Sequence, residues 1–275
     1  MSYMRVAAII AAVIVALGAV ELYRSNRILD IQRITVSLSG LPASFEGYKI
    51  AHLSDLHGAQ FGSDNELIAD ILRGERPDII VITGDYIDNR RDIDMVFGTA
   101  EKLCGIAPVY YVPGNHEYAS KIAAQVFSEL ERAGIKVLRN QSVMLTRGED
   151  SVSLLGIDDP NGPLDMISMT RAVELVRMKT EAPIIMLNHR YDRAEEIAEL
   201  DVALALVGHA HGGLIRLPFT DGLVGPSYVL FPKYTNGLYQ LGNLSLVSSR
   251  GIGNAGMTLR LFNKPHIPII TLASK

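Results

Sequence analysis

Five short segments of this 275-residue chain carry side chains suited to holding divalent cations. They are Ser54-Asp55-Leu56-His57, Gly84-Asp85-Tyr86-Ile87-Asp88, Gly114-Asn115-His116-Glu117, Asn188-His189 and Gly208-His209-Ala210-His211-Gly212. Each follows an apolar run, so its donors would sit at the carboxyl end of a strand, where ligands collect in open α/β sheets. In extended chain, residues i and i+2 point to one side, so Asp55 and His57 are expected to face one ion, and so are His209 and His211. The flanking glycines let the backbone turn sharply beside a ligand. Imidazole and oxygen donors without thiolate suit manganese, iron or zinc better than calcium. Singly these segments are weak signals: Asp-x-His at a strand end is commonly a solvated pair, and Gly-Asp-x-x-Asp a turn with a helix cap. Gly-His-x-His-Gly is harder to explain by packing, and five segments in succession point to one shared centre.

The elements that must position them follow from periodicity. Residues 34–38 alternate apolar and polar side chains and read as an edge strand. Residues 48–54, 78–83 and 108–112 read as strands, and 65–73, 92–103 and 120–133 as helices, a βαβαβα rhythm of a layered α/β domain. Short strands are then expected at 136–138, 142–146 and 152–157, a helix at 165–178, and buried strands at 183–187 and 202–207. Strands at 244–248, 257–261 and 267–272 complete the chain. Between His211 and Leu244 lies a stretch rich in Gly, Pro, Tyr and Phe without a clear period. A loop of that length in a compact domain usually has a function, such as rimming a site.

Composition excludes several classes. With 48% hydrophobic and 20% charged residues the chain is globular and not disordered. A net charge of -4 provides no basic footprint for nucleic acid. One cysteine, Cys104, rules out an intramolecular disulfide and a thiolate metal cluster. Residues 6–20 form an unbroken apolar run, and 4–23, with Arg5 and Glu21 near the ends, reach the roughly 20 residues a bilayer span needs. We expect residues 1–29 to form an uncleaved single-pass anchor. A cleaved signal peptide, with small residues at Ala16-Leu17-Gly18, and a buried core helix are the alternatives. Arg5 is balanced by Arg24 and Arg27, so the positive-inside rule selects no side of the membrane.

In this order the five blocks resemble those of the calcineurin-like metallophosphoesterase superfamily: D-x-H, G-D-x-x-[DN], G-N-H-[DE], a lone H and G-H-x-H. The resemblance spans roughly residues 48–272, with every block complete. The apolar N-terminus, His211-Gly212-Gly213 and Ser249-Arg250-Gly251-Ile252-Gly253 resemble the membrane-associated bacterial phosphodiesterase branch, which includes proteins similar to UDP-diacylglucosamine hydrolases. It implies a two-sheet α/β/β/α sandwich preceded by a hydrophobic helix, with residues 30–275 as the catalytic domain. It also implies two divalent ions, manganese foremost, with iron or zinc as substitutes. Asp55, His57 and His211 would hold the first ion, Asn115, His189 and His209 the second, and Asp85 would bridge them. His116 would protonate the leaving group, with Asp88 and Glu117 behind the ligands. The chain departs from the pattern where Arg190-Tyr191 follows the lone histidine in place of a small polar residue and proline. Arg190 would either grip a phosphate or make a surface ion pair. Arg250 would contact substrate or fix the C-terminal loop. His266, where relatives tend to carry glutamate, reads as a surface substitution, and His52 as a packed side chain.

The chemistry expected of such a centre is in-line displacement at phosphorus, with ions about 3.5–4 Å apart holding the attacking and leaving oxygens. Two divalent ions offset by Asp55, Asp85 and a hydroxide leave about one positive charge, which matches a singly charged diester. A doubly charged monoester would want more cations, from His116, Arg90, Arg91 or Arg190. Hydrolysis of phosphodiester or pyrophosphate bonds is therefore the expectation. Met166, Met169 and Met178, with Phe219, Tyr228, Phe231, Tyr234 and Tyr239 of the long loop, bring a membrane lipid or nucleotide-linked lipid among the substrates, though core packing is the plainer reading of the methionines. The alternatives are a phosphomonoesterase or nucleotide phosphatase with the same ions, and a catalytically silent metal-binding membrane scaffold. A scaffold would have no need of an acid at His116.

Overall fold

A computed structural model describes residues 3–89, 93–164, 166–217, 221–254 and 260–275. Two six-stranded mixed sheets face each other. The first contains β1 (Asp30–Leu38), β2 (Lys49–Leu53), β3 (Ile79–Thr83), β4 (Val109–Val112), β5 (Lys136–Val137) and β12 (His266–Ser274), in the order β1-β12-β2-β3-β4-β5. The second contains β6 (Gln141–Arg147), β7 (Asp150–Gly156), β8 (Ile184–Arg190), β9 (Leu204–Gly208), β10 (Gly237–Leu241) and β11 (Leu244–Ser248), in the order β10-β11-β9-β8-β7-β6. β12 runs parallel to β1 from Asp30↔His266 to Leu38↔Ser274 and antiparallel to β2.

The strand sequences explain the layering. Ile79 and Val81 of β3 pack between the sheets with Ile185 and Leu206, whereas Ile80 and Ile82 face outward. That period of two divides one apolar run between two buried faces, as a covered parallel sheet requires. The outer face of the first sheet is covered by α2 (Glu66–Glu75), α3 (Ile93–Cys104) and α5 (Ala123–Arg132). The second is covered by α6 (Met169–Arg177) and α7 (Ala194–Ala198). The α/β/β/α sandwich expected from sequence is the observed fold.

Several boundaries differ. The helix expected over 120–133 is α5, starting late because Lys121 takes φ 57°, a left-handed conformation that a helix cannot continue through, and a short helix that was not expected, α4 (Asn115–Ala119), precedes it. α6 starts at Met169 because the Ser168 hydroxyl caps it, accepting from the Arg171 N–H at 3.1 Å; Asp165, the expected start, lies outside the described residues. The long loop contains β10, whose short GLYQL run gave no clear period. Of the expected strand at 257–261, residues 257–259 lie outside the described residues, and Leu261 makes an isolated bridge to Ile215.

α1 (Tyr3–Arg27) is long and apolar enough to cross a bilayer, and its apolar stretch is left exposed by the described residues. Its last turn is different. Ser25 is buried and its hydroxyl oxygen accepts from the Asn263 N–H. Asn26 accepts from the Arg260 N–H and donates to the Arg260 carbonyl oxygen.

Candidate metal centre

Strands β2, β3 and β4 are mutually parallel, as are β7, β8, β9 and β11. Their carboxyl ends therefore deliver the five segments to one rim of the sandwich. Asp55, His57, Asp85 and His211 bring donor atoms within 4.8 Å of one another, and so do Asp85, His189 and His209. His57 Nε2 lies 3.2 Å from His211 Nε2 and 3.6 Å from Asp85 Oδ2, and His211 Nε2 is 3.4 Å from Asp55 Oδ1. On the other side His189 Nε2 lies 3.1 Å from both Asn115 Oδ1 and His209 Nδ1, and 3.2 Å from Asp85 Oδ2. Asp85 belongs to both groups. Its Oδ1 accepts from the His116 N–H at 2.9 Å, while its buried Oδ2 has no hydrogen-bond partner. An orphaned, buried carboxylate oxygen facing the His57 and His189 imidazoles is costly unless something positive sits against it, so the donor set fits a pair of cations.

The pairing of His209 with His211 on one ion is corrected. His209 falls with His189 and His211 with His57. The backbone there is not extended: Asp55, His57, Asp85, His209 and His211 all have φ between 47° and 66°. Left-handed backbone at non-glycine residues is rare and concentrates where the surrounding structure enforces it, as at functional sites. Two glycines are needed for close approach. A Cβ at Gly114 would lie 2.2 Å from Asp85 Oδ1, and one at Gly208 1.9 Å from Ser54 Oγ.

The residues behind the donors are specific. His189 Nδ1 donates to the Thr83 carbonyl oxygen at 2.8 Å, which turns the Nε2 lone pair inward. Asp88 Oδ1 accepts from His57 Nδ1 at 2.5 Å and from His116 Nδ1 at 2.8 Å, so one carboxylate orients both rings. Burial works against charge on Asp88, but these two bonds hold its carboxyl well below the usual range. The bond to Asp88 in turn raises the His116 imidazole above its ordinary value. Asp85 is likewise held low, burial notwithstanding, by His189 and His57. Glu117 was expected behind the histidines, but its carboxylate grips backbone: Oε2 accepts from the Asp85 and Gly114 N–H, and Oε1 from the Tyr86 N–H. It ties the loop after β3 to the loop after β4.

Arg190 and Arg250 have partners within the protein. Arg190 makes a fork with the buried Asp159, Nε at 2.6 Å and Nη2 at 3.1 Å, with Nη1 3.0 Å from His209 Nε2. Arg250 joins Asn236 to Asp30. His266 is buried, not on the surface, because β12 is flanked on both sides. It accepts from the Arg250 N–H through Nδ1 and donates from Nε2 to Gln32. His52 is packed as expected and donates to Thr83 Oγ1 at 2.8 Å; Thr83 donates to Ser54, and Ser54 to Asp55 Oδ2. Ser54, Thr83 and Asp159 were missed at the sequence level. Ser54 and Thr83, directly before the first and second blocks, carried a positional hint, and Asp159 carried none.

Of the aromatic and methionine side chains noted above, Met169 is buried in the core, and Met178 is exposed far along α6. Tyr228 and Phe231 are exposed on the long loop, Tyr234 and Tyr239 are half-buried, and Phe219 lies outside the described residues. Phe231, Val229, Pro226 and Tyr234 line a cavity of about 370 Å³ whose inner wall is Arg190 and His209.

Comparison with known proteins agrees with this geometry. Residues 48–213 match the calcineurin-like phosphoesterase family, a segment containing all five metal-binding blocks. The chain is 31% identical over 268 residues to the uncharacterized metallophosphoesterase YkuE of Bacillus subtilis, covering 92% of this chain and 88% of that one. It is 27% identical to the phosphodiesterase YaeI of Escherichia coli, covering 82% of each. Among solved structures, a dimetal phosphatase from Danio rerio aligns with a TM-score of 0.50 over 75% of this chain and 88% of its own, at 10% identity, a likeness of fold. The chain belongs to the calcineurin-like phosphoesterase family and is a metal-dependent phosphoesterase.

Proposed function

We propose that the protein hydrolyses phosphodiester or pyrophosphate bonds of membrane-borne amphiphiles, through a catalytic domain of residues 30–275 held to the bilayer by residues 1–29. The observation that carries the reading is Asp85 Oδ2, buried, unpartnered and reached by both donor groups. Asp55, His57 and His211 would hold one divalent ion and Asn115, His189 and His209 a second, with Asp85 shared between them, manganese being foremost and iron or zinc substitutes. When bound, the ions offset charge developing on the phosphoryl oxygens and make water a nucleophile at neutral pH. The chain's own residues do the rest. His57 and His189 are fixed in ring orientation by Asp88 and the Thr83 carbonyl oxygen. His116, with Nδ1 on Asp88, presents Nε2 as the acid that gives its proton to the departing alkoxide.

A diester is favoured over a monoester by the cations near the centre. A doubly charged monoester would call on His116 or Arg190, and both are already paired, with Asp88 and Asp159. Arg90 and Arg91, the other candidates, lie outside the described residues. A membrane-borne substrate is supported by α1 and by Val229 and Phe231, apolar side chains that line the otherwise mixed cavity beside His209.

The test is hydrolysis of bis-p-nitrophenyl phosphate and of p-nitrophenyl phosphate by the full chain with and without manganese, against His116→Ala and Asp85→Asn. Metal-dependent turnover that prefers the diester, collapses in Asp85→Asn and falls less in His116→Ala, because p-nitrophenolate departs without a proton, is the expected result. A preference for the monoester would overturn the diesterase reading, and full activity in Asp85→Asn would overturn the bridging role.

A further inference from the structure

Outside α1, single exposed apolar side chains are scattered over the domain, as on any protein. One stretch is different. Tyr228, Val229, Leu230 and Phe231 are consecutive and 79%, 49%, 67% and 73% exposed. They are held out by structure. Val224 and Leu230 form an antiparallel bridge, the Gly225 N–H donates to the Val229 carbonyl oxygen at 2.7 Å, and the Phe231 N–H to that of Leu223 at 3.0 Å. Tyr228 and Phe231 take φ of 60° and 50°, which bulky aromatics adopt only when the fold imposes it. Ordered presentation of four large apolar side chains to water is costly, and such patches mark interaction surfaces.

The root of this hairpin identifies what covers it. Ile215, at its base, bridges Leu261, and the Arg216 N–H donates to the Leu261 carbonyl oxygen at 3.0 Å. The residues flanking Leu261 are those that hold the end of α1: Arg260 bonds Asn26, and Asn263 bonds Ser25. The helix that enters the bilayer and the apolar hairpin thus spring from one strip of backbone. Phe262, on that strip, is itself 45% exposed. Arg24 and Arg27, in the last turn of α1, sit at the height where headgroups lie if the helix spans.

We propose that residues 228–231 are a second membrane contact, seated in the interfacial layer of the bilayer that α1 spans. The inference rests on the anchor reading of α1. Amphipathic insertion at this depth suits Tyr228, whose hydroxyl stays at the headgroups, and Phe231, whose ring goes to the acyl boundary. The inner side of the same hairpin, through Val229 and Phe231, walls the cavity that reaches His209. A lipid whose phosphate approaches the metal centre then keeps its apolar portion along the hairpin without leaving the membrane.

The protein contains no tryptophan, so single reporters can be placed in the full chain. Val13→Trp reports on α1, Phe231→Trp on the hairpin and Met144→Trp on an exposed position of the outer strand β6. Each is reconstituted into phosphatidylcholine–phosphatidylglycerol vesicles with acyl chains brominated near the headgroup or near the chain end. The expected result is quenching of Val13→Trp by the deep bromines, and of Phe231→Trp by the shallow ones severalfold more than Met144→Trp. If Val13→Trp is quenched but Phe231→Trp matches Met144→Trp, the hairpin stands in water and the proposal falls while the anchor stands. Phe231→Trp shielded from iodide yet untouched by bromolipid means a protein surface covers it, which also overturns the proposal. Val13→Trp unquenched at either depth removes the anchor and the proposal with it.

Discussion

Glu117→Gln perturbs a fully buried carboxylate near the centre whose partners are backbone N–H groups and not histidines. Its two oxygens accept three backbone N–H groups, two on Oε2 and one on Oε1. Glutamine keeps one acceptor oxygen. The best arrangement leaves that oxygen on Asp85 and Gly114 and turns the amide NH2 toward the Tyr86 N–H, donor against donor. A hydrogen bond to a charged group contributes about 1.5–3 kcal/mol, and a buried unpaired N–H costs about 1–3 kcal/mol. Burial and Asp85 already push the Glu117 carboxyl up, so losing its charge returns part of that sum. A net cost of about 2–4 kcal/mol follows, or roughly 5–15 °C in Tm for a domain of this size. The loops carrying Asp85 and Asn115 also lose their tie, and outer supports of metal ligands typically govern about 10–100-fold in metal affinity. Thermal unfolding and manganese titration of wild type and variant in detergent measure both. An unchanged Tm and unchanged metal affinity, with a fall in turnover alone, would refute the reasoning and move Glu117 into contact with substrate.

Other perturbations separate the remaining roles. His116→Ala should retain both ions by elemental analysis yet lose about 10²–10⁴-fold in kcat on an alkyl diester, and less on a p-nitrophenyl diester whose leaving group needs no proton. Arg190→Ala leaves the buried Asp159 carboxylate unpaired; with Arg190 partly exposed, about 2–3 kcal/mol of stability should go, read as a fall in urea midpoint, and a raised KM at unchanged midpoint would make it a substrate contact instead. Burial lowers His52 from its ordinary 6.5 to about 3, so the unfolded chain takes up a proton there that the folded one refuses. Stability contributed by neutral His52 is therefore complete above pH 6.5 and declines by about 1.4 kcal/mol per pH unit as pH falls toward 3. His52→Leu should flatten the pH dependence of the urea midpoint between pH 7 and pH 5 relative to wild type, and parallel slopes would contradict it.

The candidate metal donors were legible because each is announced locally: an apolar run, in three of the five segments a glycine, then a donor. The conformation delivering them was not. Asp55 and His57 converge through left-handed backbone instead of the extended alternation that suggested them, and His209 and His211 diverge for the same reason. What the sequence concealed is pairwise and distant. Arg190 with Asp159, Asp30 with Arg250 and the chain from His52 to Asp55 join residues whose mutual position exists only after folding. His266 was misread because burial of a polar residue is set by neighbouring strands, here β1 and β2, and not by its own surroundings in sequence. Short, weakly periodic β10 was lost in the glycine-rich loop because its partner β11 defines it.

The place of β12 has a consequence for how the protein comes into being. β1 follows α1 directly, but its neighbour in the sheet is made of residues 266–274. Synthesis runs from the amino end, so the apolar helix can engage a membrane while β1 waits without a partner through the making of every metal-binding segment. Only when His266–Ser274 emerges can it slide between β1 and β2 and close the first sheet. The facing edges of β1 and β2 thus stay open until residues 266–274 have been made, a window in which misassociation competes with closure. A fragment ending between residues 213 and 265 keeps all five donor segments yet lacks the strand that joins β1 to the core of the domain.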